Sequence, residues 1–199
     1  MSSSAVADRA PVLSQIGVPH DYYVREMHLP RLSTGPGTLA WMPDGNALVY
    51  AMQGSLWLQS LDNGTARQLT AGPGYDYQPD VSPDGQRIVF ARYDGKAIEL
   101  QVLDIRSGEV TALTDEGAVN TDPRWSPDGE RIAFVSTRDN GRFKVYVGRM
   151  DHGEFKAEAL APDRRSRTPR YYYSEYDHEL SPAWTPDGRS LLVVANPET

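Results

Sequence analysis

The chain has no cysteine. Disulfide staples, thiolate nucleophiles and thiolate metal sites are therefore excluded, and the lack fits a reducing or an oxidising compartment equally. No apolar run approaches the ~20 residues of a membrane-spanning helix. Basic residues are in the minority: 20 Lys and Arg face 27 Asp and Glu, a formal charge of −7. That balance argues against a nucleic-acid backbone or an anionic membrane as the main partner, because both reward clustered Lys and Arg. The first residues, Met1 to Arg9, lack the apolar core of a secretory leader. The expectation is a cytoplasmic chain, or one whose leader was removed upstream of this numbering.

Catalytic signatures are missing as well. There is no Gly-x-Ser-x-Gly elbow for a serine hydrolase and no His-Glu-x-x-His for a zinc hydrolase. Phosphate- and dinucleotide-binding glycine fingerprints are absent too, and the four histidines, His20, His28, His152 and His178, stand singly. The expectation is that this chain alone has no catalytic residue, no metal site and no cofactor, and hydrolyses nothing.

What the chain does have is a repeat. Its 17 glycines and 15 prolines fall at regular places, as turns do in an all-β protein. Four segments align on the turns Pro43-Asp44-Gly45, Pro83-Asp84-Gly85, Pro127-Asp128-Gly129 and Pro186-Asp187-Gly188. The turn prolines lie 40, 44 and 59 residues apart, and periods near 40–45 residues belong to four-stranded propeller blades. Proline presets φ at the first central position, aspartate bonds back to the local backbone, and glycine takes the left-handed position that closes the hairpin.

A short strand carrying Trp41, Val81, Trp125 or Trp184 precedes each turn, and a β-branched, aromatic-rich strand follows it. Third strands are expected over Leu56–Leu61, Leu100–Ile105 and Lys144–Gly148, and exposed fourth strands over Ala66–Thr70 and Glu109–Thr114. The reading is an all-β chain: an arc of four-stranded antiparallel blades, three complete and the first hairpin of a fourth, cut from a larger β-propeller. Blades fall at about 37–70, 77–114, 121–160 and 180–199. Residues 1–36 form an N-terminal arm, in which Tyr23, Met27 and Leu29 give a ring-closing strand over about Tyr22–Leu29 an apolar face.

These repeats resemble the TolB-type, PD40 class of bacterial β-propellers. The nearest match is Asn120-Thr-Asp-Pro123-Arg-Trp125-Ser-Pro-Asp-Gly129 with Ile132-Ala-Phe134, then Asp139-Asn140-Gly141 before Lys144. The likeness runs from roughly Gly37 to Ala195 and is specific for fold, not activity. It implies a periplasmic or secreted location and a binding or scaffolding role. Such repeats also head prolyl-oligopeptidase-type peptidases and precede metal-dependent amidohydrolase domains; Arg170 to Trp184 looks most like the last group. Two departures stand out: Leu39 replaces the proline of Pro79, Pro123 and Pro182, and Met42 replaces a Ser or Thr.

The long third spacing localises an insertion to residues 161–179. It carries Arg164, Arg165, Arg167 and Arg170, then Tyr171, Tyr172, Tyr173 and Tyr176, with His178 among acidic residues. Tyrosine and arginine are enriched at interface hot spots, so these residues are the candidate contacts for a protein partner or an attached catalytic domain. Asp177-His178-Glu179 could be read as a metal rim, but neighbours in a strand point to alternating faces, which favours a solvated loop. Trp41, Trp125 and Trp184 are read as core residues packing blade on blade, and Trp57 as structural. Asn63-Gly64-Thr65 matches a glycosylation sequon, and its plain reading is a turn. Open faces on the first and last blades are expected to drive self-association. Two functions stay open: a TolB-like binding scaffold, or the propeller part of a hydrolase whose chemistry lies beyond residue 199.

Overall fold

A computed structural model describes residues 35–139, 141, 143–160 and 180–194. Within them the chain forms fourteen strands and no helix. The first blade holds β1 (Thr38–Trp41), β2 (Ala47–Met52), β3 (Ser55–Ser60) and β4 (Ala66–Gln68). The second holds β5 (Tyr75–Val81), β6 (Arg87–Tyr93), β7 (Ile98–Asp104) and β8 (Val110–Ala112). The third holds β9 (Asn120–Trp125), β10 (Arg131–Ser136), β11 (Lys144–Asp151) and β12 (Glu154–Ala159), and β13 (Leu180–Trp184) and β14 (Leu191–Val194) make a last hairpin. Every sheet is an antiparallel meander in chain order. The N-terminal arm and the insertion at 161–179 lie outside the described residues.

The repeated turn does what its chemistry dictates. Gly85 N–H donates to the Ser82 carbonyl at 2.8 Å, and the Asp84 carboxylate accepts from Gln86 N–H at 3.0 Å. Gly45, Gly85, Gly129 and Gly188 all sit near φ +70°, where a side chain would be strained. Ser82, Ser126 and Thr185 add a hydroxyl donor to the aspartate of their turn. Met42 has none, so the first turn lacks that bond.

The core lies between blades. Val49, Leu56, Val89, Phe90, Leu100, Phe134 and Val145 are fully buried. The Phe155 ring lies across strand from Gly148 so closely that a Cβ there would come within 2.2 Å of it.

Several boundaries differ from those expected. The third strand of each complete blade is longer or shifted, and a fourth strand of the third blade, β12, follows the turn His152-Gly153, where both residues have positive φ. Thr70 and Thr114 are not exposed strand residues. They follow β4 and β8, are buried, and their hydroxyls accept from Leu56 N–H and Leu100 N–H at 2.9 Å. Trp41 corrects the reading of all three turn tryptophans as core: it is 57 % exposed, because no described blade precedes it. Trp125 and Trp184 are partly buried between blades.

Leu39 has a structural consequence. In β5, β9 and β13 the residue before proline, Gln78, Asp122 or Ser181, adopts φ of 51° or 52°, and the register with the next strand shifts there. Proline has no N–H to give the ladder, and two residues bulge opposite one. In β1, with Leu39, the pairing to β2 runs without a shift.

Candidate functional site

The candidate contacts Arg164, Arg165, Arg167, Arg170, Tyr171, Tyr172, Tyr173, Tyr176 and His178 fall outside the described residues. Their root is nonetheless defined. Outer strands pass to the next inner strand through residues 69–74 and 113–119, and through 160–179 after the third blade. Leu160, which follows β12, and Leu180, which opens β13, both lie at the end of the blades opposite the Pro-Asp-Gly turns.

That crossing end contains two buried carboxyl side chains, Asp76 and Glu99. Asp76 is buried on β5 and takes both nitrogens of the Arg92 fork, at 2.6 and 3.0 Å. Glu99 on β7 accepts from Thr114 Oγ1 at 2.5 Å, Gly117 N–H at 2.8 Å and Asn120 Nδ2 at 2.9 Å. Burial pushes the Glu99 carboxyl upward in pKa against those bonds, and the charges of Glu116 and Asp115 add to the shift. Arg138 ties the crossing to the third blade: it pairs with Glu116 at 3.0 Å, donates to Asn120 Oδ1 at 3.3 Å and lies over Tyr146 at 4.9 Å. Sequence reasoning passed over these residues because each partner sits on a different strand.

The inner strands are stitched along the bulges. Gln78 N–H donates to Thr38 Oγ1 at 2.9 Å, and Asp122 N–H donates to Gln78 Oε1 at 3.0 Å. Gln78 Nε2 returns a bond to Asp122 Oδ1 at 2.5 Å. Asp80 accepts from Trp125 N–H at 2.7 Å across the same gap, and burial raises its pKa. Among the described residues no three His, Asp or Glu side chains gather as a metal-binding group would require. The arrangement is suited to holding blades in register and presenting loops from their crossing end.

These carboxylates predict a two-part pH profile. Asp84, Asp128 and Asp187 are held below the usual carboxylate range by hydroxyl and backbone donors, Asp128 to about 2. A depressed folded pKa gives stability that is present above the unfolded value and lost as pH falls through the folded one. Glu99 and Asp80 carry raised folded pKa values, so their contribution improves as they take up protons on mild acidification. The melting temperature is expected to fall mainly between about pH 4 and about pH 2. Asp128→Asn should shrink that fall, and Glu99→Gln should remove part of the gain above it. Identical profiles for Asp128→Asn and the parent would count against this assignment.

An arc of four-stranded meanders, each with a Pro-Asp-Gly turn between its first two strands, defines a β-propeller of the Pro-Asp-Gly repeat class. The chain belongs to the TolB beta propeller domain family, whose model matches residues 29–172. It is 29% identical over 136 residues to the TolB homolog of Chlorobium luteolum, covering 68% of this chain and 27% of that protein. It is 27% identical over 124 residues to the uncharacterized peptidase YuxL of Bacillus subtilis, covering 59% of this chain and 17% of that one. TolB from Acinetobacter baumannii shares the fold, with a TM-score of 0.67 and 23% identity over 82% of this chain and 38% of that one. The chain spans about a quarter of the length of its TolB relative.

Proposed function

We propose that this chain is a non-catalytic scaffold, a propeller arc that binds a protein partner or an attached domain in the periplasm or outside the cell. The observation that carries the reading is the use made of the buried carboxyl groups. At the crossing end Asp76 is committed to Arg92 of the neighbouring strand, and Glu99 and Arg138 to the second crossing and the third blade, through Thr114, Gly117, Asn120 and Glu116. The family match supports the same role. The contact surface is the insertion, with Arg164, Arg165, Arg167, Arg170, Tyr171, Tyr172, Tyr173, Tyr176 and His178.

A photo-crosslinker at position 172, in the polypeptide as its own cell makes it, is expected to yield one discrete adduct. Replacing Tyr171, Tyr172 and Tyr173 together by alanine should weaken that association by more than about 2 kcal/mol. The blades should melt as before. Unchanged affinity for the crosslinked partner would end the proposal. A second reading is favoured by the YuxL relative: the arc is the propeller portion of a larger hydrolase, of peptidase or metal-dependent amidohydrolase type. In that case the adduct formed from position 172 would be internal, to a catalytic domain of the same polypeptide.

A further inference from the structure

The outer strands of the three complete blades are unequal. Strands β4 and β8 run for three residues each, whereas β12 runs for six, Glu154-Phe155-Lys156-Ala157-Glu158-Ala159. It is the last strand of its sheet, and no described strand pairs with its other side. The register against β11 runs from Tyr146 opposite Ala159 to Asp151 opposite Glu154, and Leu160 N–H donates to the Val145 carbonyl at 2.8 Å. Bonded and non-bonded pairs alternate along an antiparallel ladder. Glu154, Lys156 and Glu158 therefore give their backbone groups to β11, and Phe155, Ala157 and Ala159 turn theirs to the open edge. The side chains divide the same way. Phe155 packs on Phe134 and Ala157 joins the core, while Glu154, Lys156 and Glu158 are exposed.

An edge of this kind is a template for another strand, and its charges select which one. We infer that β12 pairs antiparallel with β12 of a second copy of this chain, about a two-fold axis through Ala157. In that register Ala157 faces the partner's Ala157 and Phe155 faces the partner's Ala159, each as a hydrogen-bonded pair. Lys156 falls opposite the partner's Glu158, and Glu158 opposite the partner's Lys156, at non-bonded positions where side chains come closest. Centring on Lys156 instead would set lysine against lysine and Glu154 against the partner's Glu158, and like charges directly opposite are destabilising. Centring on Phe155 would set Ala157 and Glu158 against the turn residues Gly153 and His152, both at positive φ. Lys156 also donates to Asp151 of its own blade at 2.8 Å, an exposed pair that contributes little by itself. The other outer strands, Ala66-Arg67-Gln68 and Val110-Thr111-Ala112, hold no such pair of opposite charges. The inference goes beyond the scaffold reading above and does not depend on it.

Exchanging the charges tests the register. In the chain of 199 residues, Lys156→Glu or Glu158→Lys sets like charges opposite each other at two places. Each is expected to weaken dimerisation roughly tenfold in sedimentation velocity at low salt. The double variant K156E/E158K restores both pairs with the signs reversed and should recover most of the affinity. Circular dichroism and melting confirm that the blades of each variant are intact. Because the chain has no cysteine, Ala157→Cys gives a single thiol whose Cα would lie about 5.5 Å from that of its copy, within reach of a disulfide. Under mild oxidation A157C should form a covalent dimer, and Thr111→Cys on β8 should not. Association unchanged by either single exchange, or not recovered by the double exchange, overturns the inference, as does A157C crosslinking no faster than T111C. A chain that stays monomeric, as it would if its own residues 1–34 or 161–179 covered the edge, overturns it too. Dimers joined through the open blade faces would respond to none of these charge changes.

Discussion

Replacing Phe134 by alanine is expected to destabilise the chain by about 3–5 kcal/mol. Phe134 is fully buried at the centre of the third blade. Its ring stacks on Tyr146 at 5.8 Å and meets Phe155 at 6.0 Å, and the Arg138 guanidinium lies 5.1 Å above it. Removing it takes away both the apolar burial and the platform for Arg138, which in turn holds Glu116 and Asn120. Domains hold only about 5–15 kcal/mol in total, so an arc with open faces should sit close to unfolding. Chemical denaturation against a Leu192→Ala control, a residue 67 % exposed, is the comparison to make. The control should change stability by less than about 0.5 kcal/mol. A Phe134→Ala loss no larger than the control's would show that the third blade does not organise around this ring.

Arg92→Ala is expected to be nearly as damaging, at about 3–5 kcal/mol, for an electrostatic reason. The Asp76 side chain has no exposed surface, while Arg92 is 26% exposed. Deleting the arginine leaves a buried carboxylate without its fork, and that desolvation is the dominant cost. The same change opens space beside Gly74, where an ideal Cβ would lie 2.8 Å from the Arg92 stem. The double replacement Asp76→Leu with Arg92→Met should recover much of the loss, because no charge is then stranded. A complete double-mutant cycle separates the two effects. A double variant as unstable as Arg92→Ala alone would assign the cost to packing and not to charge.

The blade itself was legible in the chain because its signals are local. A Pro-Asp-Gly turn is specified within four residues by a fixed φ, a carboxylate that reaches its own backbone and a left-handed glycine. The Met42 departure could be read the same way, as one hydroxyl missing from the first turn. Leu39 was visible as a departure, yet its effect, an inner strand without the bulge of the other three, appears only once the neighbouring strand is paired. The boundaries drifted where strand ends are held by other strands, as with Thr70 and Thr114, whose hydroxyls reach back to β3 and β7.

The sequence by itself determined the kind of unit, its number of repeats and the class of fold, since each repeat encodes its own hairpin. Only the tertiary structure decided what each repeated residue does. Trp125 and Trp184 are covered and Trp41 is bare although all three stand at the same place in the repeat, because burial depends on whether a blade precedes them. Arg87 and Arg131 look in the chain like ordinary surface arginines; packing brings each one over an indole a full repeat away. Asp76 and Glu99 read as strand charges, and folding buries both, so that pairing across strands became a condition of stability. Contacts of this kind join residues tens of positions apart, where no local periodicity records them.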